Sequence, residues 1–131
     1  MIYKEISYKE YWNLPDTTGA YLVLWPDGSK VWYNNELYHR EDGPAFKGAN
    51  GSKVWYLHGK PHREDGPAYK GADGTKEWYI HGKRHREDGP AVEWADGDKE
   101  WYLNGKEYET EEEWRVALAE LRAKEIKDLI V

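Results

Sequence analysis

A seven-residue string, His-Arg-Glu-Asp-Gly-Pro-Ala, occurs three times, at His39–Ala45, His62–Ala68 and His85–Ala91. The spacing is constant, since 62 − 39 and 85 − 62 are both 23. A period of this length restricts the chain to a repeat array, because so short a unit cannot bury an apolar face alone and must stack on its neighbours. The residues between the copies keep the same period. Trp-Tyr recurs at 32–33, 55–56, 78–79 and 101–102, and Asp-Gly or Asn-Gly at 27–28, 50–51, 73–74 and 96–97. A lysine stands two residues before each of these Trp residues, as Lys30, Lys53, Lys76 and Lys99.

The repeat reads as β-hairpins. Asx-Gly between β-type runs is the strongest short hairpin signal, because both residues tolerate positive φ. Tips are therefore expected at 27–28, 50–51, 73–74 and 96–97, with His-Gly-Lys and Asn-Gly-Lys, around Gly59, Gly82 and Gly105, marking the bend that leaves each hairpin. Pro44, Pro67 and Pro90 cannot donate to a ladder and belong at strand starts. A two-residue turn at Asp96-Gly97 pairs 94 with 99, 92 with 101 and 90 with 103. That register puts Val92, Trp94, Trp101 and Leu103 on one face, and Ala91 with Tyr102 on the other. The same holds for Phe46, Trp55 and Leu57, and for Tyr69, Trp78 and Ile80. The Trp face is the expected core, and the Tyr/Ala face the expected half-exposed side.

Three segments follow. Residues 1–19 are an N-terminal capping segment, with Ile2–Ile6 a short strand and Ser7 and Glu10 at capping-box spacing before a short helix over Tyr8–Asn13. Residues 20–108 are the array of four units, the first incomplete. Residues 109–131 are a C-terminal helix: Thr110 and Glu113 are spaced as a capping box, and Trp114, Leu118 and Leu121 share a face that docks on the last repeat. The fold class is mainly β, a meander of antiparallel hairpins in one elongated curved sheet with an α-helical cap.

Composition narrows the function classes. With 8 Trp and 11 Tyr against 1 Phe and 1 Met, amphipathic rings supply most of the burial. A net charge of −6 argues against a broad nucleic-acid surface. The absence of cysteine excludes disulfides and thiolate metal sites. No run has the length of a membrane span, and the first residues lack a signal peptide's apolar core, so a cytoplasmic protein is expected.

Within the repeat, Trp78-Tyr79-Ile80-His81-Gly82-Lys83-Arg84-His85, followed by Trp94-Ala95-Asp96-Gly97, resembles the variant repeats of the MORN family. The resemblance covers about Leu22 to Lys106. It departs where the family's Gly-x-Gly after the His is replaced by Arg86-Glu87-Asp88-Gly89-Pro90. The His-Arg-x-Asp-Gly-Pro-Ala form is similar to that of repeat proteins of tailed phages and giant viruses. The resemblance implies 23-residue hairpins that serve as protein-binding or membrane-apposed scaffolds, some bacterial variants looking like antitoxin or immunity components.

The His/Arg/Glu/Asp string also invites a catalytic reading, with His85 and Asp88 as an acid–base pair and Arg86 holding a phosphate. Its triplication favours a structural one, in which Arg pairs with a carboxylate and Asp before Gly makes a turn. His58 with His62 and His81 with His85 have a ligand-like spacing, but Gly59, Pro61 and Gly82 rule out the helical form of such a site. Neither metal nor cofactor is expected, and no enzymatic activity. The expected function is non-catalytic binding of a protein partner, as a phage-encoded inhibitor or immunity-type factor would do. The alternative is a counter-defence protein that sequesters a nucleotide-like anionic small molecule. The residues nominated for binding are Tyr56, His62, Arg63, Tyr79, His85 and Arg86, rings and guanidinium groups of the middle repeats. Neither the oligomeric state nor the binding face follows from the pattern.

Overall fold

The computed structural model describes residues 1–130; position 131, the last of the expected C-terminal segment, lies outside them. β1 (Lys4–Ser7) leads directly into α1 (Tyr8–Trp12). Ser7 caps this helix: its Oγ accepts the Glu10 N–H at 3.2 Å and donates to the Glu10 carboxylate at 3.0 Å. β1 lies parallel to β2 (Ala20–Leu24), and β3 (Lys30–Asn34) returns antiparallel. Ile6 faces Val23 and Val23 faces Val31, so the three converge with Tyr33 and with Tyr11 of α1 in the first core cluster.

The chain continues through β4 (Leu37–Tyr38), β5 (Phe46–Lys47), β6 (Lys53–Val54), β7 (Tyr56–Leu57), β8 (Lys60–Pro61), β9 (Tyr69–Lys70) and β10 (Lys76–Glu77). It goes on to β11 (Tyr79–Ile80), β12 (Lys83–Arg84), β13 (Val92–Glu93), β14 (Lys99–Leu103), β15 (Lys106–Tyr108) and α2 (Glu111–Ile130). One long sheet runs β1-β2-β3-β5-β6-β9-β10-β13-β14-β15, a mainly antiparallel meander ending in a helix, as expected. Each period nevertheless contains a second hairpin beside the long sheet: β7–β8 and β11–β12 are separate two-stranded sheets, while the equivalent β3–β4 and β14–β15 share their first strand with the long sheet.

The strands fork at Trp. The Trp55 N–H donates to the Ala68 carbonyl at 2.7 Å, which continues the long sheet, while its own carbonyl accepts the His62 N–H at 3.0 Å, which continues the side hairpin. Trp32 and Trp78 make the same pair of bonds.

The two turn types are exchanged relative to the sequence reading. The two-residue turns with both residues at positive φ are the expected bends, His58-Gly59 (φ 50 and 81), His81-Gly82 (48 and 82) and Asn104-Gly105 (50 and 85), together with Asn35-Glu36 (49 and 70) in the first unit. At the Asx-Gly tips only the glycine has positive φ, 95 at Gly97, and the loop has three residues. The Trp94 N–H donates to the Asp98 carbonyl and the Gly97 N–H to the Trp94 carbonyl, the pattern of a type I turn closed by a left-handed glycine. Asp96 selects this geometry because its Oδ1 accepts the Asp98 N–H at 2.9 Å, an Asx-turn.

One extra loop residue shifts the register by one. Val92 faces Glu100 and Glu93 faces Lys99, where Val92 was expected opposite Trp101. A one-residue shift exchanges the faces. Val92 therefore packs with Ala91 and Tyr102, and Trp94 is exposed. The expected contrast between a buried Trp ladder and a half-exposed Tyr ladder is thus corrected. Tyr33 and Tyr102 are buried like Trp32, and the middle rings of both ladders are half-buried.

The C-terminal helix docks as expected through Trp114 and Leu118, which close over Leu103 with Trp101, Ala117 and Tyr108 around them. The Thr110 Oγ1 accepts the Glu113 N–H at 3.1 Å at its start. Leu121 is half-buried at the margin of this contact, and every residue from Arg122 to Ile130 is exposed. Among the described residues no helix is long and apolar enough to cross a membrane.

Candidate functional site

The repeated string is the loop that brings the chain from each side hairpin back to the long sheet, and its histidine, arginine, aspartate, glycine, proline and alanine each have a mechanical role. In the middle copy the Arg63 guanidinium lies 3.9 Å above the Trp55 ring, a cation–π contact. Its Nε donates to Asp65 at 3.0 Å and its Nη1 to the Pro67 carbonyl at 3.1 Å. Arg40 and Arg86 repeat this over Trp32 (4.1 Å) and Trp78 (3.8 Å). Arg40 holds the Asp42 carboxyl below its usual range, by hydrogen bonding first and charge second. Gly66 leaves room for the guanidinium, and Ala68, fully buried, passes its carbonyl to Trp55.

The histidine joins one unit to the next. The His62 Nδ1 accepts the backbone N–H of His81 at 2.9 Å, as His39 does from His58 (3.0 Å) and His85 from Asn104 (2.9 Å). This contact supports the strained left-handed residue that opens the next side hairpin. Because Nδ1 accepts, the ring proton belongs on Nε2, which faces the glutamate of the same loop: Glu41 at 3.6 Å, Glu64 at 3.7 Å and Glu87 at 2.9 Å. The arginine N–H extends the joint, Arg63 donating to the Tyr79 carbonyl at 3.1 Å. The pairing of His85 with Asp88 that a catalytic reading needs does not form, since Asp88 is bound to Arg86 at 2.8 Å.

Successive loops stand side by side with grooves between them. The first, about 770 Å³, lies between loop 40–44 and loop 62–65, with Trp55 and Leu57 in its lining. The second, about 670 Å³, lies between loop 63–67 and loop 85–88, with Trp78 and Ile80. Glutamate and aspartate of both flanking loops line each groove. The third, about 360 Å³, is narrowed by α2. There Trp114 stands 4.8 Å from Trp101, where the other units have an arginine over the ring, and Arg122 reaches Glu87 at 3.7 Å.

The nominated residues divide accordingly. His62 and Arg63 line the first groove, and Arg63, His85 and Arg86 the second. Tyr56 and Tyr79 line neither. Tyr56 packs against Tyr38 with ring centres 4.9 Å apart and planes tilted at 47°, and burial, then Tyr38, pushes its hydroxyl pKa up. The Tyr79 hydroxyl donates to Glu77 at 3.0 Å and accepts from Arg84, which also donates to the Tyr102 hydroxyl at 3.0 Å and to Glu77 at 2.8 Å. Burial works against the charge of Arg84, but these partners together raise its pKa. Sequence reasoning missed the exposed carboxylates and the Leu57 and Ile80 linings. The carboxylates are legible in the repeated Glu-Asp, but pairing and turn chemistry account for them locally, and only the folded loop turns them outward.

Fold and loops together define a mainly β hairpin-repeat protein, its units joined by a shared seven-residue loop and its last unit covered by a helix. No protein-family model, curated protein or solved structure matches the chain.

Proposed function

We propose that the chain is a non-catalytic binding protein of MORN-like repeats whose two open grooves take a segment of a protein partner. The observation that supports this is the division of charge in the loops. The guanidinium groups are turned inward onto Trp, Asp and a carbonyl, while the carboxylates face out: Glu41 is 72% exposed, Asp42 83%, Glu64 83% and Asp65 86%. An aromatic and aliphatic lining with an acidic rim suits a polypeptide segment carrying lysine or arginine beside apolar side chains. The Arg122–Glu87 contact, made by the chain's own helix, is an example of that pairing. A nucleotide-like anion would meet the acidic rim and find Arg63 and Arg86 already engaged. In a phage setting, as an inhibitor or immunity-type factor, the partner would be a host protein.

Capture from lysate by the immobilised chain tests the reading. The Glu41→Lys/Glu64→Lys variant should melt as the parent does and lose the captured protein. Capture that survives the charge reversal overturns the reading, as does a nucleotide that raises the melting temperature by mass action.

A further inference from the structure

The second half of α2 carries an apolar stripe that the fold does not use. Val116, Ala119, Ala123, Ile126 and Ile130 follow one another at intervals of three, four, three and four. At 3.6 residues per turn they form one line, about two-fifths of a turn away from the face that docks through Trp114 and Leu118. All five are exposed, Val116 by 61%, Ile126 by 60% and Ile130 by 79%. Alternating three–four spacing is that of a coiled-coil seam, and the two alanines let a second helix approach closely. Among the described residues no neighbouring element covers this line.

The charges beside the seam select its occupant. Residues 111–120 carry Glu111, Glu112, Glu113 and Glu120 against Arg115, a balance of −4 + 1 = −3. Residues 121–130 carry Arg122, Lys124 and Lys127 against Glu125 and Asp128, a balance of +3 − 2 = +1. An antiparallel second copy sets the acidic half over the basic half and opposes the helix dipoles. Centred near Ala123, the pair also brings Glu120 beside the second copy's Lys127, and Lys127 beside its Glu120. A parallel pair gains Arg115 beside Glu120 but sets Arg122 against Lys127, so its charges cancel. Arg122, on the opposite flank, is already turned toward Glu87 at 3.7 Å.

We infer that this seam pairs antiparallel with the same seam of a second copy, making a homodimer. The seam spans 14 helical rises, about 21 Å, and two helices of that length bury less than the roughly 1,200 Å² of a standard stable interface. The dimer is therefore weak and concentration-dependent. It would present two repeat arrays together, so that a partner bearing two binding segments gains avidity. The inference stands on the helix alone and does not depend on the reading of the grooves.

Sedimentation velocity of the full chain from low micromolar to near-millimolar concentration reads it out. The mean mass should rise from the 15.4 kDa monomer toward twice that value. Ile126→Glu should hold the chain monomeric throughout. Glu120→Lys and Lys127→Glu should each weaken association by roughly tenfold, two symmetry-related contacts changing at once, and the double exchange should restore it. All three positions are exposed, and unchanged circular dichroism is the check that the variants fold. A monomer at every concentration overturns the inference, and so does a dimer indifferent to Ile126→Glu. A double exchange that fails to restore association overturns the antiparallel pairing. A chain that stays monomeric yet binds vesicles of anionic lipid shows the stripe to be a membrane face, and also overturns it.

Discussion

At Gly66 a single methyl group decides whether a repeat closes. A Cβ there would lie 2.9 Å from the Arg63 guanidinium carbon, and the equivalent positions Gly43 and Gly89 give 2.9 and 2.8 Å. Gly66→Ala therefore lifts Arg63 off Trp55, with an expected loss of about 1–2 kcal/mol in chemical denaturation. The Arg63→Ala/Gly66→Ala double variant should lose no more than Arg63→Ala alone, and additive losses would rule out this packing account. The tyrosines set a second expectation. Burial, as the largest cause, raises the hydroxyl pKa of Tyr33, Tyr56, Tyr79 and Tyr102 above the ordinary 10.0. Below that value both folded and unfolded chains keep these protons, and stability does not depend on them. Above it the unfolded chain ionises first, so stability falls as pH rises toward the folded-state values. Alkaline titration should show tyrosinate absorbance rising together with loss of the fold. Tyrosines that ionise near pH 10 in a chain that stays folded would contradict their burial. The repeated string was legible as structural from its triplication. The stacking of Arg on Trp was not, because those residues stand eight apart and meet only through the fork at Trp.

Among the elements, the turns were the point where sequence and structure parted. Asp-Gly is permitted in both a two-residue and a three-residue hairpin loop, and a single side-chain hydrogen bond, from the Asp98 N–H to Asp96, tips the choice. His-Gly is a weaker two-residue signal, yet His81 sits at φ 48 because its backbone N–H is held by His62 of the preceding unit. That contact joins residues 19 apart, beyond the reach of turn propensities. The final helix was legible from its capping residues and apolar spacing, but how far it docks was not. Trp114→Ala should cost about 3–5 kcal/mol, the range for a buried aromatic ring. Truncation after Leu121 should lower the melting temperature by only a few degrees, since it removes exposed residues and the Arg122–Glu87 contact. Equal losses from the two changes would mean that the distal half packs as well.

For the molecule as a whole, the period makes stability a sum over units and their joints. Removing residues 62–84, one full period of 23, joins Pro61 to His85 and leaves both end segments and every local partner type in place. The shortened chain should fold, with a lower melting temperature and a shallower denaturant slope in proportion to the surface lost. A deletion product without cooperative unfolding would show that the array is not modular. The sequence by itself determined the unit length, the presence and places of the hairpins, and the helical cap, because each depends on contacts within a few residues or on a strict period. Only the tertiary structure decided the register, the face each ring occupies, the grooves and the outward row of carboxylates. Those depend on one residue of loop length and on bonds from one unit to the next, and a one-residue shift turns every side chain over without changing any local signal.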